Sequence, residues 1–173
     1  MLLNNSFIIL RTIRIQDAPR FVKWLSDPKV NKFIARKAVT YKEELKWIRS
    51  LPKKKNEIHF AIDTIDGIHI GSLGLYVEKR HKKGCFGIII GDKRYWNKSY
   101  GYHASKLILD YAFKKLKLNR VWLIAYSYNP RAIKLYKKLG FKKEGVGRKA
   151  INYKGKFYDQ MYMGILRNEW MKK

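Results

Sequence analysis

Asn129-Pro130-Arg131-Ala132-Ile133-Lys134-Leu135-Tyr136-Lys137-Lys138-Leu139-Gly140-Phe141 encodes both the start and the stop of a short helix. An asparagine side chain can accept a hydrogen bond from the first helical turn, and proline suits the first helical position. Glycine readily takes the left-handed conformation that ends a helix, so Gly140 marks the exit. Ala132, Leu135, Tyr136 and Leu139 recur at spacings of three and four and share one face. That pattern puts the Tyr136 phenol on or beside a packed surface. There it is either a core tyrosine with a satisfied hydroxyl or a proton donor.

Upstream, residues 120–128 read as an apolar strand. Before it, residues 101–116 read as a helix presenting Ala104, Leu107, Ile108, Tyr111, Ala112 and Leu116. The run 84–91, Gly-Cys-Phe-Gly-Ile-Ile-Ile-Gly, predicts a strand buried on both faces. Residues 57–64 and 68–78 form a hairpin pattern around Asp66-Gly67. Thr40 to Glu43 is a capping box opening a helix with Leu45, Trp47 and Ile48. Asp17, followed by Pro19, opens another helix with Phe21, Val22, Trp24 and Leu25, after a first strand at 7–15. Two late strands, 143–153 and 157–167, flank Lys154-Gly155-Lys156. The predicted order is β-α-α-β-β-β-α-β-α-β-β, a mixed α/β arrangement with helices on both faces of the sheet.

A chain of 173 residues with 46% apolar composition suits one domain, 1–173, with a real core. No apolar run approaches the ~20 residues that span a bilayer. The first residues lack the basic start of a signal peptide, so a cytoplasmic protein without a membrane partner is expected. The single cysteine, Cys85, excludes an internal disulfide and any Cys-rich metal site. The net charge of +26 suits an acidic partner or nucleic acid and opposes polycationic ligands. Lysines outnumber arginines 28 to 11 and are scattered, so the charge can equally reflect a lysine-rich proteome.

The segment Asp92-Lys-Arg-Tyr-Trp-Asn-Lys-Ser-Tyr-Gly101 lies between a strand and a helix, where helix N–H groups and dipole favour anions. It is neither a P-loop nor a dinucleotide fingerprint. Together with four other segments it carries a specific likeness. Those segments are Leu-Asp-Tyr-Ala-Phe (109–113), Leu-Asn-Arg-Val (118–121), Asn-x-x-Ala-x-x-x-Tyr-x-Lys-x-Gly-Phe (129–141) and Met-Gly-Ile-Leu-Arg-Asn-Glu-Trp (163–170). From Phe7 to Trp170 the chain resembles the GNAT family of acetyl-CoA-dependent N-acetyltransferases. It is most similar to the branch of ribosomal-protein N-terminal acetyltransferases (RimJ/RimL-like) and spermidine acetyltransferase.

The resemblance implies a mostly antiparallel central sheet whose fourth and fifth strands splay. It implies acetyl-CoA as the donor, with no metal. The pantetheine arm would pair with Ile88, Ile89 and Ile90, and the pyrophosphate would rest on Trp96, Asn97, Lys98, Ser99, Tyr100, Gly101 and Tyr102. Asn129 would contact the pantetheine arm, and Tyr136 would protonate the departing CoA thiolate. Two positions depart from the family pattern: Trp96 replaces a basic or amide residue, and Ser99 replaces a glycine. The glutamate that handles the amine proton in many relatives is also missing. Cys85 occupies its place beside Phe86, with Glu78, Asp92 and Asp159 as water-linked substitutes.

The missing base favours an α-amine acceptor, such as the N-terminus of a ribosomal protein, with the basic surface resting on ribosomal RNA. The alternatives are a small-molecule amine (an amino sugar nucleotide, antibiotic or polyamine) and a non-catalytic nucleic-acid-binding protein. The acceptor pocket would draw on residues 24–39, including Arg36 and Lys37, and on the loop around Lys154-Gly155-Lys156. Monomer and homodimer are both compatible.

Overall fold

The computed structural model describes residues 2–34 and 38–172. Arg36 and Lys37 lie outside the described residues. Eight strands form one mixed sheet in the order β1-β2-β3-β4-β5-β6-β8-β7. They are β1 (Leu2–Asn4), β2 (Ile8–Thr12), β3 (Glu57–Thr64), β4 (His69–Glu78), β5 (Lys83–Ile90), β6 (Arg120–Tyr126), β7 (Lys142–Tyr153) and β8 (Lys156–Leu166). Pairing is antiparallel at β1–β2, β2–β3, β6–β8 and β7–β8, and parallel at β5–β6. The helices are α1 (Ala18–Ser26), α2 (Pro28–Asn31), α3 (Tyr41–Ser50), α4 (Tyr100–Asp110), α5 (Pro130–Lys138) and α6 (Arg167–Met171).

The chain packs as two compact units. The first runs up to Leu75 and includes Ile88–Leu107. Its core gathers Ile13, Ala18, Phe21, Trp24, Val30, Ile48 and Ala61, with Leu45, Trp47, Ile89 and Trp96 packed against them. The α3 capping box is present: Glu43 N–H donates to Thr40 Oγ1 at 3.3 Å, and Thr40 N–H donates to Glu43 Oε2 at 2.7 Å. Asp17 precedes α1 without capping it. Its carboxylate instead receives both terminal nitrogens of Arg11, each at 2.8 Å, and sits well below the usual carboxylate range. Burial works against that shift; the hydrogen bonds from Arg11, His69 and the Arg14 amide outweigh it.

The second unit holds Tyr76–Gly87 and the chain from Ile108 onward. Val121, Leu123 and Ala125 of β6 are buried, while Trp122, Ile124 and Tyr126 are half-buried or exposed. This is the period-two pattern of a strand with one face in a core. Trp170 of α6 lies 6.2 Å from Phe113, centroid to centroid, and donates its indole N–H to Asp110 at 3.1 Å.

Four expectations change. Leu2–Asn4 adds an edge strand, so the strands expected to splay as fourth and fifth are β5 and β6. The short helices α2 and α6 were not expected. β5 is not buried on both faces: Gly84 and Phe86 are buried, Cys85 is half-buried and Gly87 is exposed. In the helix expected at 101–116, residues 111–115 form a π-helical turn. Its buried rows are Ala104, Ile108 and Ala112 with Ser105, Leu109 and Phe113, leaving Leu107 and Tyr111 half-buried. Ser105 can be buried because its hydroxyl donates to Gly101 O at 2.7 Å.

Candidate functional site

In the first unit, the end of β5 leads into the loop that precedes α4. Ile88, Ile89 and Ile90 are half-buried. The parallel ladder between β5 and β6 comprises Lys83–Arg120, Gly84–Val121 and Cys85–Trp122. β5 itself runs on to Ile90. Gly91 follows, and a Cβ there would fall inside the Trp24 ring. The absence of a side chain lets α1 close against the end of β5.

Asp92 organises the next turn. Its carboxylate accepts the Arg94 N–H at 3.1 Å and pairs with the Arg94 guanidinium at 2.6 Å, which holds the carboxyl below its ordinary range. Lys93 pairs with Asp27. Trp96 is the anchor of the loop. It packs on the core of α1 and α3, and its indole N–H donates to Ile90 O at 2.7 Å. Trp96 therefore ties the loop to the strand that precedes it, a role composition alone did not reveal. Asn97, Lys98 and Ser99 are exposed.

Asn97 (φ 59°) and Ser99 (φ 61°) are both left-handed. A non-glycine residue in that region costs roughly 1–2 kcal/mol, less for Asn. Glycine would take this conformation at position 99 without that cost. The Ser99 carbonyl accepts the His103 N–H at 3.1 Å and starts α4, with Tyr100, Gly101 and Tyr102 in its first turn. First-turn N–H groups have no carbonyl of their own helix to bond, so they offer donors to an anion.

In the second unit, α5 forms with the expected ends. Asn129 Oδ1 accepts the Ala132 N–H at 3.2 Å, Pro130 is the first helical residue, and Gly140 adopts φ 91°. The cap uses only the carbonyl oxygen of the Asn129 side chain, so its amide N–H groups remain available as donors. Tyr136 is buried at 6% exposure. Its ring meets Phe86 at 6.4 Å and Phe141 at 5.9 Å, both edge-on. Its hydroxyl has no hydrogen-bond partner among the described residues. Burial pushes the phenol up to about 12.

Burial raises the Cys85 thiol. Glu78 pairs with Lys83 at 3.0 Å, Asp92 with Arg94 at 2.6 Å, and Asp159 Oδ1 accepts the Lys149 N–H at 2.9 Å. A cluster not singled out from the sequence also appears: Tyr126, Tyr128, Tyr153 and Tyr158 pack ring against ring. Only the pair Tyr126-x-Tyr128 was visible locally. Among the described residues, no group of three or more His, Cys, Asp or Glu is arranged to hold a metal, and no helix is long and apolar enough to cross a membrane.

Residues 8–142 match the family described as "Acetyltransferase (GNAT) domain". Among curated proteins, the chain is 26% identical to the uncharacterised N-acetyltransferase p20 of Bacillus licheniformis, covering 94% of each chain. It is 32% identical to the probable N-acetyltransferase YjcK of Bacillus subtilis, over 76% of this chain and 70% of that protein. Among solved structures, it is similar to a spermidine N-acetyltransferase of Vibrio cholerae crystallised with CoA and spermine. That match has a TM-score of 0.90 at 22% identity, covering 96% of this chain and 99% of the other. Likeness at that identity is likeness of fold.

Proposed function

Because this chain belongs to the GNAT family of N-acetyltransferases, and is thus an acyltransferase, we propose that it acetylates a protein or peptide α-amine from acetyl-CoA. One domain spanning residues 1–173 carries the activity, in the cytoplasm. A ribosomal protein, as in the RimJ/RimL-like branch, is the acceptor we favour. Docking of the basic surface on ribosomal RNA accompanies it.

Bound acetyl-CoA supplies an activated thioester. The amine nitrogen forms a bond to the acetyl carbon, the carbon–sulfur bond breaks, the amine gives up a proton and the sulfur gains one. Ile88, Ile89 and Ile90 offer the backbone edge to the pantetheine arm. The segment from Trp96 to Tyr102 offers N–H donors and the Lys98 charge to the pyrophosphate. Asn129 donates through its amide while its oxygen caps α5. Tyr136 holds its proton throughout the working pH range. Full transfer to a thiolate near 8.5 is uphill from a phenol at about 12. The hydroxyl therefore acts first as a hydrogen-bond donor to the charge developing on sulfur.

What supports this choice of acceptor is the burial that raises the Cys85 thiol, at the position where the family resemblance implies a carboxylate. Without a carboxylate at that position, an acceptor that already brings a neutral amine is favoured. At pH 7 about one α-amine in ten is neutral, against fewer than one alkyl amine in a thousand, from pKa values of roughly 7.7–8.0 and 10.4. The +26 charge further opposes a polyamine. CoA release measured with acetyl-CoA and a panel of peptides, spermidine and amino sugars tests this reading. Acetylation of peptide α-amines supports it; turnover confined to spermidine or amino sugars overturns it.

A further inference from the structure

Four tyrosines from three segments of the second unit form one stack. Tyr128 lies nearly parallel to Tyr126 and to Tyr153, each at 15°, with centroids 5.4 and 5.5 Å away. Tyr158 closes on Tyr128 at 4.8 Å and 62°. All four are half-buried, so each keeps part of its surface in solvent. The hydroxyls of Tyr126, Tyr153 and Tyr158 have no hydrogen-bond partner among the described residues.

The stack fixes the hairpin between β7 and β8 to the segment that enters α5. The hairpin turns through Lys154 (φ 52°) and Gly155 (φ 78°), with Tyr153 paired to Lys156. Lys154 Nζ stands 5.9 Å from the Tyr153 ring centroid, and Lys156 Nζ stands 5.6 Å from that of Tyr158. These separations are within cation–π reach. Residues 142–166 hold six basic side chains and two acidic ones. Of the two acids, Glu144 is paired with Arg120, and Asp159 accepts the Lys149 N–H.

We propose that this lysine-edged tyrosine stack selects the acceptor, favouring peptides whose α-amine is followed by acidic side chains. The proposal rests on the α-amine reading above. A carboxylate meets two ammonium groups and three open hydroxyl donors, and charge-assisted hydrogen bonds of this kind are the strong ones. A cationic side chain meets ring faces that already carry their own ammonium groups. Reach is consistent with this. Seven helical residues from Asn129 to Tyr136 rise about 10 Å, and three extended peptide residues cover about 10 Å. Side chains two to four residues beyond the reacting amine can therefore lie over the stack.

The test uses three peptides that differ only at positions 2–4: Asp-Asp-Asp, Ala-Ala-Ala or Lys-Lys-Lys. Wild-type kcat/KM is expected to fall at least tenfold from the acidic to the neutral peptide and again to the basic one. Added salt should compress the series. The double variant Lys154→Gln/Lys156→Gln should flatten the order, and Lys154→Glu/Lys156→Glu should reverse it, both melting near wild type. A wild-type enzyme indifferent to these charges, or a folded Glu variant that still prefers acidic peptides, overturns the inference while leaving the α-amine reading intact. Turnover of amino sugars with no peptide acetylated removes both.

Discussion

The Tyr136 ring of α5 meets the Phe86 ring of β5 edge-on, with centroids 6.4 Å apart and planes at 81°. This packing holds the phenol without using its hydroxyl. Structure and chemistry are thereby separable at one residue. Tyr136→Phe should keep the edge contact and leave the melting temperature within a few degrees, since no hydrogen bond is lost. Turnover should fall by about 10²-fold, the lower range for a lost acid group, with the KM for acetyl-CoA little changed. Steady-state kinetics beside a thermal melt checks both halves. Unchanged turnover would remove the tyrosine from the chemistry.

The same burial predicts a response to alkali. The folded phenol titrates at about 12, against about 10 when exposed in the unfolded chain. Between these values the unfolded state loses its proton first, so stability falls as pH rises. The contribution is complete below pH ~10 and lost as pH passes ~12, amounting to roughly 3 kcal/mol by linkage. Burial raises Tyr126 and Tyr128 in the same direction. Urea denaturation between pH 9 and 12 should show a shallower decline for Tyr136→Phe than for wild type.

Trp96 carries packing and a hydrogen bond together. Trp96→Phe should keep most of the packing and lose the bond to Ile90 O, costing about 1 kcal/mol. Trp96→Ala should cost about 3 kcal/mol or more, as large-to-small changes in a core do. Both should raise the KM for acetyl-CoA, because the exposed loop residues 97–99 lose their anchor to β5. Denaturant melts and acetyl-CoA titration measure the two effects. A Trp96→Ala enzyme with wild-type acetyl-CoA affinity would show that the loop holds its shape without the indole.

Ser99 is exposed and left-handed, a conformation that glycine takes without strain. Ser99→Gly should relieve about 1 kcal/mol of backbone strain, partly offset by the greater freedom of glycine in the unfolded chain. The expected result is a melting temperature equal to wild type or slightly higher, with acetyl-CoA binding retained. A clear loss of affinity would instead assign the Ser99 hydroxyl to the ligand.

Cys85, which the family resemblance sets where many relatives carry a glutamate, has a thiol raised by burial. Cys85→Ala should leave kcat within about threefold of wild type and shift stability by under about 1.5 kcal/mol, since a half-buried small side chain is exchanged for a smaller one. Full loss of activity in a folded variant would point to a covalent acetyl-thiol route. Cys85→Glu is the converse probe. If a base at this position is what the chain lacks, the variant should gain activity toward alkyl amines.

Features that depend on a few neighbouring residues were legible from the amino acids alone. They include the cap at Asn129, the exit at Gly140, the Thr40–Glu43 capping box and the turn at Asp66-Gly67. Each is satisfied by groups within about four residues, so the chemistry that decides it is written side by side. The loop from Trp96 to Gly101 and the α5 motif are local in the same sense, and together they pointed to the family. Three features depended on partners far along the chain. Leu2–Asn4 is a strand only because β2 pairs with it. Ser105, Leu109 and Phe113 face inward because the packing turns that side of α4 toward the core and the Gly101 carbonyl satisfies the serine. The tyrosine stack needs Tyr128, already beside Tyr126, to meet Tyr153 and Tyr158 across roughly 25 to 30 residues of intervening chain. Capping and turn propensities act over single turns of backbone. Pairing and stacking are decided by tertiary packing, which brings distant side chains within reach.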